Sequence, residues 1–121
     1  MGTEAKRVVM RRTNCSCSMP GVWRALSFVR GALVIFHSPR PCAHIAHGMD
    51  VGSFHRLRAA GTKVLLSPVP LLTSSLSDAE AIFGGEDRLR ECIRFAAEKY
   101  QPQAIFIANS CVSGVIGDDT C

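Results

Sequence analysis

Six cysteines, Cys15, Cys17, Cys42, Cys92, Cys111 and Cys121, carry most of the chemical capacity of this 121-residue chain. The opening residues MGTEAKRVVMRR are basic but have neither a long apolar core nor a small-residue cleavage site, so they do not read as a secretory signal. A cytoplasmic location is therefore expected, where loop cysteines are metal-ligand or redox candidates rather than a disulfide framework. Cys42 and Cys111 each stand just past an all-apolar run, and Cys17 sits beside a Pro20-Gly21 turn. Cys15 is the alternative to Cys17, Cys92 falls inside a helix as a core or interface thiol, and Cys121 is the last residue. Thiolates that converge from several loops on one sheet edge can hold an iron–sulfur cluster. The competing reading is inert thiols, because Cys packs as a small hydrophobe and no compact Cys-x-x-Cys run is present.

Other groups offer further chemistry, each with a plainer alternative. Cys42-x-His44-x-x-His47 places two histidines on one helix face, where they could take zinc or simply be polar residues near a helix start. Gly84-Gly85 ahead of a helix could offer backbone amides to a phosphate. The Lys-Ser/Thr pair of a P-loop is missing there and Glu86 would repel the anion, which favours a structural helix-opening turn. Asp118-Asp119 reads either as a catalytic or magnesium-binding pair or as capping carboxylates at the start of a helix. The net charge of +4 owes much to Lys6, Arg7, Arg11 and Arg12. Without interleaved aromatics or a recognition motif, these residues read as a solvated terminus, and no nucleic-acid partner is expected.

The elements that must position these residues emerge from the apolar pattern. Ala32–Phe36 and Ala104–Ala108 are apolar at every position, as strands buried on both faces of a parallel sheet are. Lys63–Leu66 reads as a short third strand and Leu71–Ile82 as a long connection with about one turn of helix. Helices are expected over Val22–Val29, from Cys42 to about Ala60 with interruptions at Gly48 and Gly52, and over Glu86–Tyr100. In the last of these, Leu89, Ile93, Ala96 and Ala97 share the apolar face. The order predicts an α/β fold, a parallel sheet with flanking helices in one Rossmann-like domain over residues 15–121, preceded by a basic arm over 1–14. No apolar run approaches the ~20 residues that cross a bilayer, so no membrane partner is expected. Gly117–Cys121 looks like a helix start, and the sequence is expected to be part of something longer.

Several motifs together resemble the nitrogenase component 1 family. They are Cys17-Ser-Met-Pro-Gly21, His37-x-x-x-x-Cys42, Phe83-Gly-Gly-Glu86 and Cys111-Val-Ser-Gly114-Val-Ile-Gly117-Asp118-Asp119, in that order. The family comprises molybdenum–iron protein subunits, cofactor-assembly scaffold subunits and dark-operative tetrapyrrole reductases. The resemblance implies that Cys17, Cys42 and Cys111 hold an iron–sulfur cluster, either a four-iron cluster or half of the larger P-cluster, at the interface with a homologous component 1 subunit. It further implies an ATP-dependent iron-protein reductase as electron donor, or alternatively a scaffold role in assembling a nitrogenase-type metal cofactor. Gly114 and Gly117 would let the loop backbone approach the cluster, and Ser110 or Ser113 would donate to a sulfur. The chain would be the N-terminal domain of a three-domain subunit, not active alone. Ser38 and Pro41 stand where the family loop often carries glycines, which leaves the cluster type open.

Overall fold

Strand β1, Ala32–His37, is buried at all six positions in the computed structural model, which describes residues 18–63 and 69–120. Its side chains alternate between two cores, as the period of a strand requires. Ala32, Val34 and Phe36 join Met19, Trp23, Ala46 and Val69 on one face. Leu33 and Ile35 join Leu89 and Ala96 on the other. An all-apolar run is thus the signature of a strand with helices on both sides. Helices α1, Met19–Leu26, and α2, Arg40–Ala59, cover the first face.

The described sheet is parallel in the order β2-β1-β3, with β2 at Leu71–Thr73 and β3 at Ala104–Asn109. The expected parallel α/β architecture is therefore present. Of the expected strand at Lys63–Leu66, Lys63 is not in a strand and the rest lies outside the described residues. Strand β2 instead uses a segment that reads as a connection in the sequence. Leu71 packs on the first core and Leu72 on the second, so this short strand repeats the two-sided burial of β1. Pro70 precedes it without loss, because Val34 N–H needs only its carbonyl oxygen, at 3.0 Å.

Strand β3 packs on both cores, Phe106 and Ala108 on the first and Ile105 and Ile107 on the second, but less deeply than its composition suggests. Only Ala108 is fully buried, because β3 lies at the edge of the described sheet. Helices α2 and α4 also depart from expectation. Helix α2 passes through Gly48 and Gly52 without a break, both glycines facing open space while Ala46 and Ala43 anchor the helix to the core. Helix α3, Asp78–Phe83, is closed at its start by a capping box in which the Ser77 and Glu80 side chains exchange bonds with each other's backbone. Helix α4, Glu86–Tyr100, buries Leu89 and Ala96 and half-buries Cys92 and Ile93, but leaves Ala97 exposed. The apolar stripe is therefore 89, 92, 93 and 96, and Cys92, expected as a core or interface thiol, packs partly buried against the second core.

The largest local difference lies after β3. Cys111 enters the first position of a short helix, α5, Cys111–Ile116, rather than a loop. Ser110 caps that helix by accepting from Ser113 N–H at 3.2 Å, and Gly117 closes it with a left-handed φ of +75°. Asp118-Asp119 consequently comes after a helix instead of starting one. Among the described residues, no helix is long and apolar enough to cross a membrane.

Candidate functional site

Parallel pairing brings the carboxyl ends of β1 and β3 level, with His37 opposite Asn109. Function in parallel sheets gathers at this edge. Cys42 lies five residues past the end of β1, in the first turn of α2, and is half-buried. Two prolines shape that entry: Pro39 is the N-cap and Pro41 sits within the first turn, where a missing donor costs nothing. Cys111 lies two residues past β3 and is exposed. Both are thiols rather than disulfides, and they leave the sheet at the same edge.

At the same edge stands a buried polar cluster. The His37 ring is fully enclosed, with Nε2 2.7 Å from Asp118 Oδ2 and Nδ1 2.8 Å from Ser74 Oγ. Ser74 Oγ also accepts from Ser38 N–H at 3.2 Å. Its own proton is then available to Nδ1, which leaves the ring proton on Nε2 to be donated to the Asp118 carboxylate. That carboxylate accepts from Gly85 N–H as well, at 2.9 and 3.1 Å to its two oxygens. An anion therefore does sit at the Gly84-Gly85 turn and the start of α4, and it is the protein's own Asp118. A Cβ on residue 85 would overlap Leu76 Cδ2 and come within 3.0 Å of Asp118 Oδ2 and 3.1 Å of His37 Cε1, so only glycine admits this approach. Two further bonds tie the same turn down: Asp119 N–H donates to Glu86 Oε1 at 3.1 Å, and Asn109 Nδ2 donates to Thr120 Oγ1 at 2.8 Å.

The sequence-predicted site residues are distributed unevenly over this edge. Cys42 and Cys111 emerge there. Cys17, Cys15 and Cys121 lie outside the described residues. Gly114 is inside α5 with open space where a Cβ would stand, and Gly117 is its closing residue. Ser113 Oγ donates to Ser110 O at 3.0 Å, so its proton is used within the helix cap. His44 and His47 are exposed on α2 and line two different clefts beside Trp23, of about 510 and 460 Å³. Among the described residues, no three of His, Cys, Asp and Glu come together to hold a metal ion. The donor set nevertheless suits an iron–sulfur cluster in kind, since two soft thiol donors share one sheet edge and one of them is open to solvent.

Two members of the polar cluster differ in how far the sequence betrays them. His37 closes a fully apolar run, where a buried ring must find partners for both nitrogens, and that is a usable signal beyond its place in the His37-x-x-x-x-Cys42 motif. Ser74 carries no signal, because the strand that precedes it reads as a connection.

Residues 17–120 match the family described as nitrogenase component 1 type oxidoreductase. The chain is 32% identical over 114 residues to the nitrogenase iron-molybdenum cofactor biosynthesis protein NifE of Rippkaea orientalis, a match that covers 88% of this chain and 24% of the relative. It is 26% identical over 118 residues to the nitrogenase molybdenum-iron protein alpha chain of Methanothermobacter thermautotrophicus, covering 88% and 24%. Among solved structures, nitrogenase Cp1 at pH 5 superposes with a TM-score of 0.60 at 25% identity, over 85% of this chain and 20% of that one. The chain thus spans about a quarter or less of the length of these three proteins.

Proposed function

The chain belongs to the nitrogenase component 1 type oxidoreductase family, and from that premise we propose that it is the cluster-holding N-terminal domain of a subunit that assembles a nitrogenase-type metal cofactor. Cys17, Cys42 and Cys111 are the sulfur ligands. The observation that carries this reading is the common exit of Cys42 and Cys111 from one edge of a parallel sheet. When bound, an iron–sulfur cluster supplies one-electron redox chemistry whose potential depends on the charge, burial and hydrogen bonds around its sulfurs. The chain's own contribution is placement. Helix α2 fixes Cys42 behind two prolines, the Ser110 cap fixes Cys111, and Gly114 and Gly117 keep the neighbouring backbone accessible. Three ligands from one chain leave a four-iron cluster incomplete, so a homologous component 1 subunit completes the site.

The assembly role is supported by relatives named as cofactor biosynthesis proteins at 32% and 33% identity. A second reading, electron relay from an ATP-dependent iron-protein reductase, draws on the match to a molybdenum-iron protein alpha chain. The two separate in one experiment on anaerobically purified full-length protein with its partner subunit. The assembly role predicts that metal-loaded protein activates a cofactor-free nitrogenase without itself turning over. Reduction of a substrate upon addition of iron protein and ATP, without such transfer, would overturn it in favour of relay.

A further inference from the structure

We propose that the His37–Asp118 hydrogen bond locks the helix bearing Cys111 to the segment bearing Cys42, so that His37 and Asp118 are positioning residues for those two thiolates; this rests on the ligand role proposed for the cysteines. Helix α5 has six residues, too few to be stable without attachment. His37 holds it at both ends. Its carbonyl oxygen accepts from Ser110 N–H at 3.2 Å, just ahead of Cys111, and its imidazole reaches Asp118 just beyond Gly117. Ser110 to Asp118 is stiff in between, because the serine cap closes one end and both Gly117 N–H and Asp118 N–H donate to Ser113 O at the other.

The same residue begins the path to Cys42. Ser38, next in the chain, is fully buried, with its N–H on Ser74 Oγ and its carbonyl oxygen accepting from Leu76 N–H at 3.1 Å and from Thr73 Oγ1 at 3.1 Å. Pro39 and Pro41 restrict the backbone beyond it, and Cys42 N–H closes onto Pro39 O at 3.2 Å. Both cysteine-bearing segments are therefore referred to one fixed point. Two other ties on the 117–120 turn, Glu86 to Asp119 and Asn109 to Thr120, involve exposed side chains, where water competes. The Asp118 carboxylate is enclosed, 4% exposed, so its bonds to His37 and Gly85 govern the position of α5.

The test uses full-length protein with its partner subunit, carrying Asp118→Leu, His37→Leu or His37→Gln. Asp118→Leu removes the oxygen that accepts from both His37 Nε2–H and Gly85 N–H. His37→Leu removes the bond, whereas the side-chain amide introduced by His37→Gln can restore a donor near the Nε2 position. In metal-free protein, amide hydrogen exchange over residues 110–119 is expected to quicken by about tenfold or more in Asp118→Leu and His37→Leu and to stay near wild type in His37→Gln. After anaerobic reconstitution with iron and sulfide, Asp118→Leu and His37→Leu are expected to give a broadened electron paramagnetic resonance spectrum at reduced iron content, with His37→Gln closer to wild type. Unchanged exchange and an unchanged spectrum in Asp118→Leu, with helical circular dichroism intact, would overturn the proposal. Equal behaviour of His37→Leu and His37→Gln would overturn it too, since a purely packing role makes no distinction by donor. A wild-type protein that takes up no iron would overturn the ligand role itself, while the exchange contrast would still stand for the lock.

Discussion

His37 Nε2 lies 2.7 Å from Asp118 Oδ2, with both side chains buried, and joins the end of the central strand to a turn 81 residues further along the chain. Through Gly85 N–H, the same carboxylate gathers the start of the long α4 helix. The His37–Cys42 loop, the Phe-Gly-Gly-Glu turn and the Gly-Asp-Asp turn, which look independent in the sequence, thus meet at one buried carboxylate.

Gly85 is where that meeting is tightest. Gly85→Ala forces a methyl group against Leu76, His37 and Asp118, and is expected to destabilise the fold by about 1–3 kcal/mol through overpacking. Urea unfolding at equilibrium measures this. A midpoint equal to that of the wild type would mean that the three neighbours retract at no cost.

Gly114 predicts the opposite sign. It sits inside α5 with nothing within 4 Å of where its Cβ would stand, so Gly114→Ala is expected to stabilise the metal-free protein by about 0.5–1 kcal/mol through helix propensity. If the open space beside it receives the cluster, the same variant lowers iron uptake in the reconstituted full-length protein. Improved stability with undiminished iron uptake would remove Gly114 from the cluster-binding set.

The layered α/β fold was legible because Ala32–Phe36 and Ala104–Ala108 are apolar at every position and because α4 carries charged residues on one face and an apolar stripe on another. What escaped the sequence was set by tertiary context. Strand β2 is three residues long, and only its pairing with Val34–Phe36 distinguishes it from a connection. The apolar composition of β3 could not reveal that it lies at a sheet edge. Gly117 closes a helix instead of opening one, a distinction that depends on its backbone angle, so the sequence pattern puts Asp118 at the wrong end of a helix. Of the candidate site, the emergence of Cys42 and Cys111 at one end of the sheet was legible from their places after apolar runs. The His37–Asp118–Gly85 cluster was not, since residues 37, 85 and 118 share no spacing rule.

The thiols should react in a fixed order. Burial pushes the Cys92 thiol above its ordinary value of 9.0, and its Sγ is turned towards Thr73 O, so its reactive thiolate is scarcer at a given pH. Cys111 is exposed. Alkylation of metal-free protein by iodoacetamide near neutral pH is expected to modify Cys111 several-fold faster than Cys92, as peptide mass spectrometry would record. Equal rates, or Cys92 first, would contradict the packing of α4 against the sheet.

Glu80 carries the acid sensitivity of α3. Hydrogen bonds from the Ser77 side chain, then from the Ser77 backbone, then from Arg88, lower its carboxyl from 4.5 to about 2. Because the folded value is depressed, the stabilisation is fully present above about pH 4.5 and is lost as the pH falls towards 2. A carboxyl titration followed by nuclear magnetic resonance is expected to show a Glu80 midpoint near 2, rising in Ser77→Ala. A midpoint at the ordinary 4.5 would mean that the capping box does not persist in solution.

The ligand assignment itself is tested most directly by anaerobic reconstitution of full-length protein and its partner subunit with iron and sulfide, comparing wild type with Cys17→Ala, Cys42→Ala and Cys111→Ala. The expected result is a cluster signal by electron paramagnetic resonance in the wild type that is lost or altered in each variant, with iron content falling in parallel. Wild-type iron content and an unchanged spectrum in all three variants would contradict the assignment.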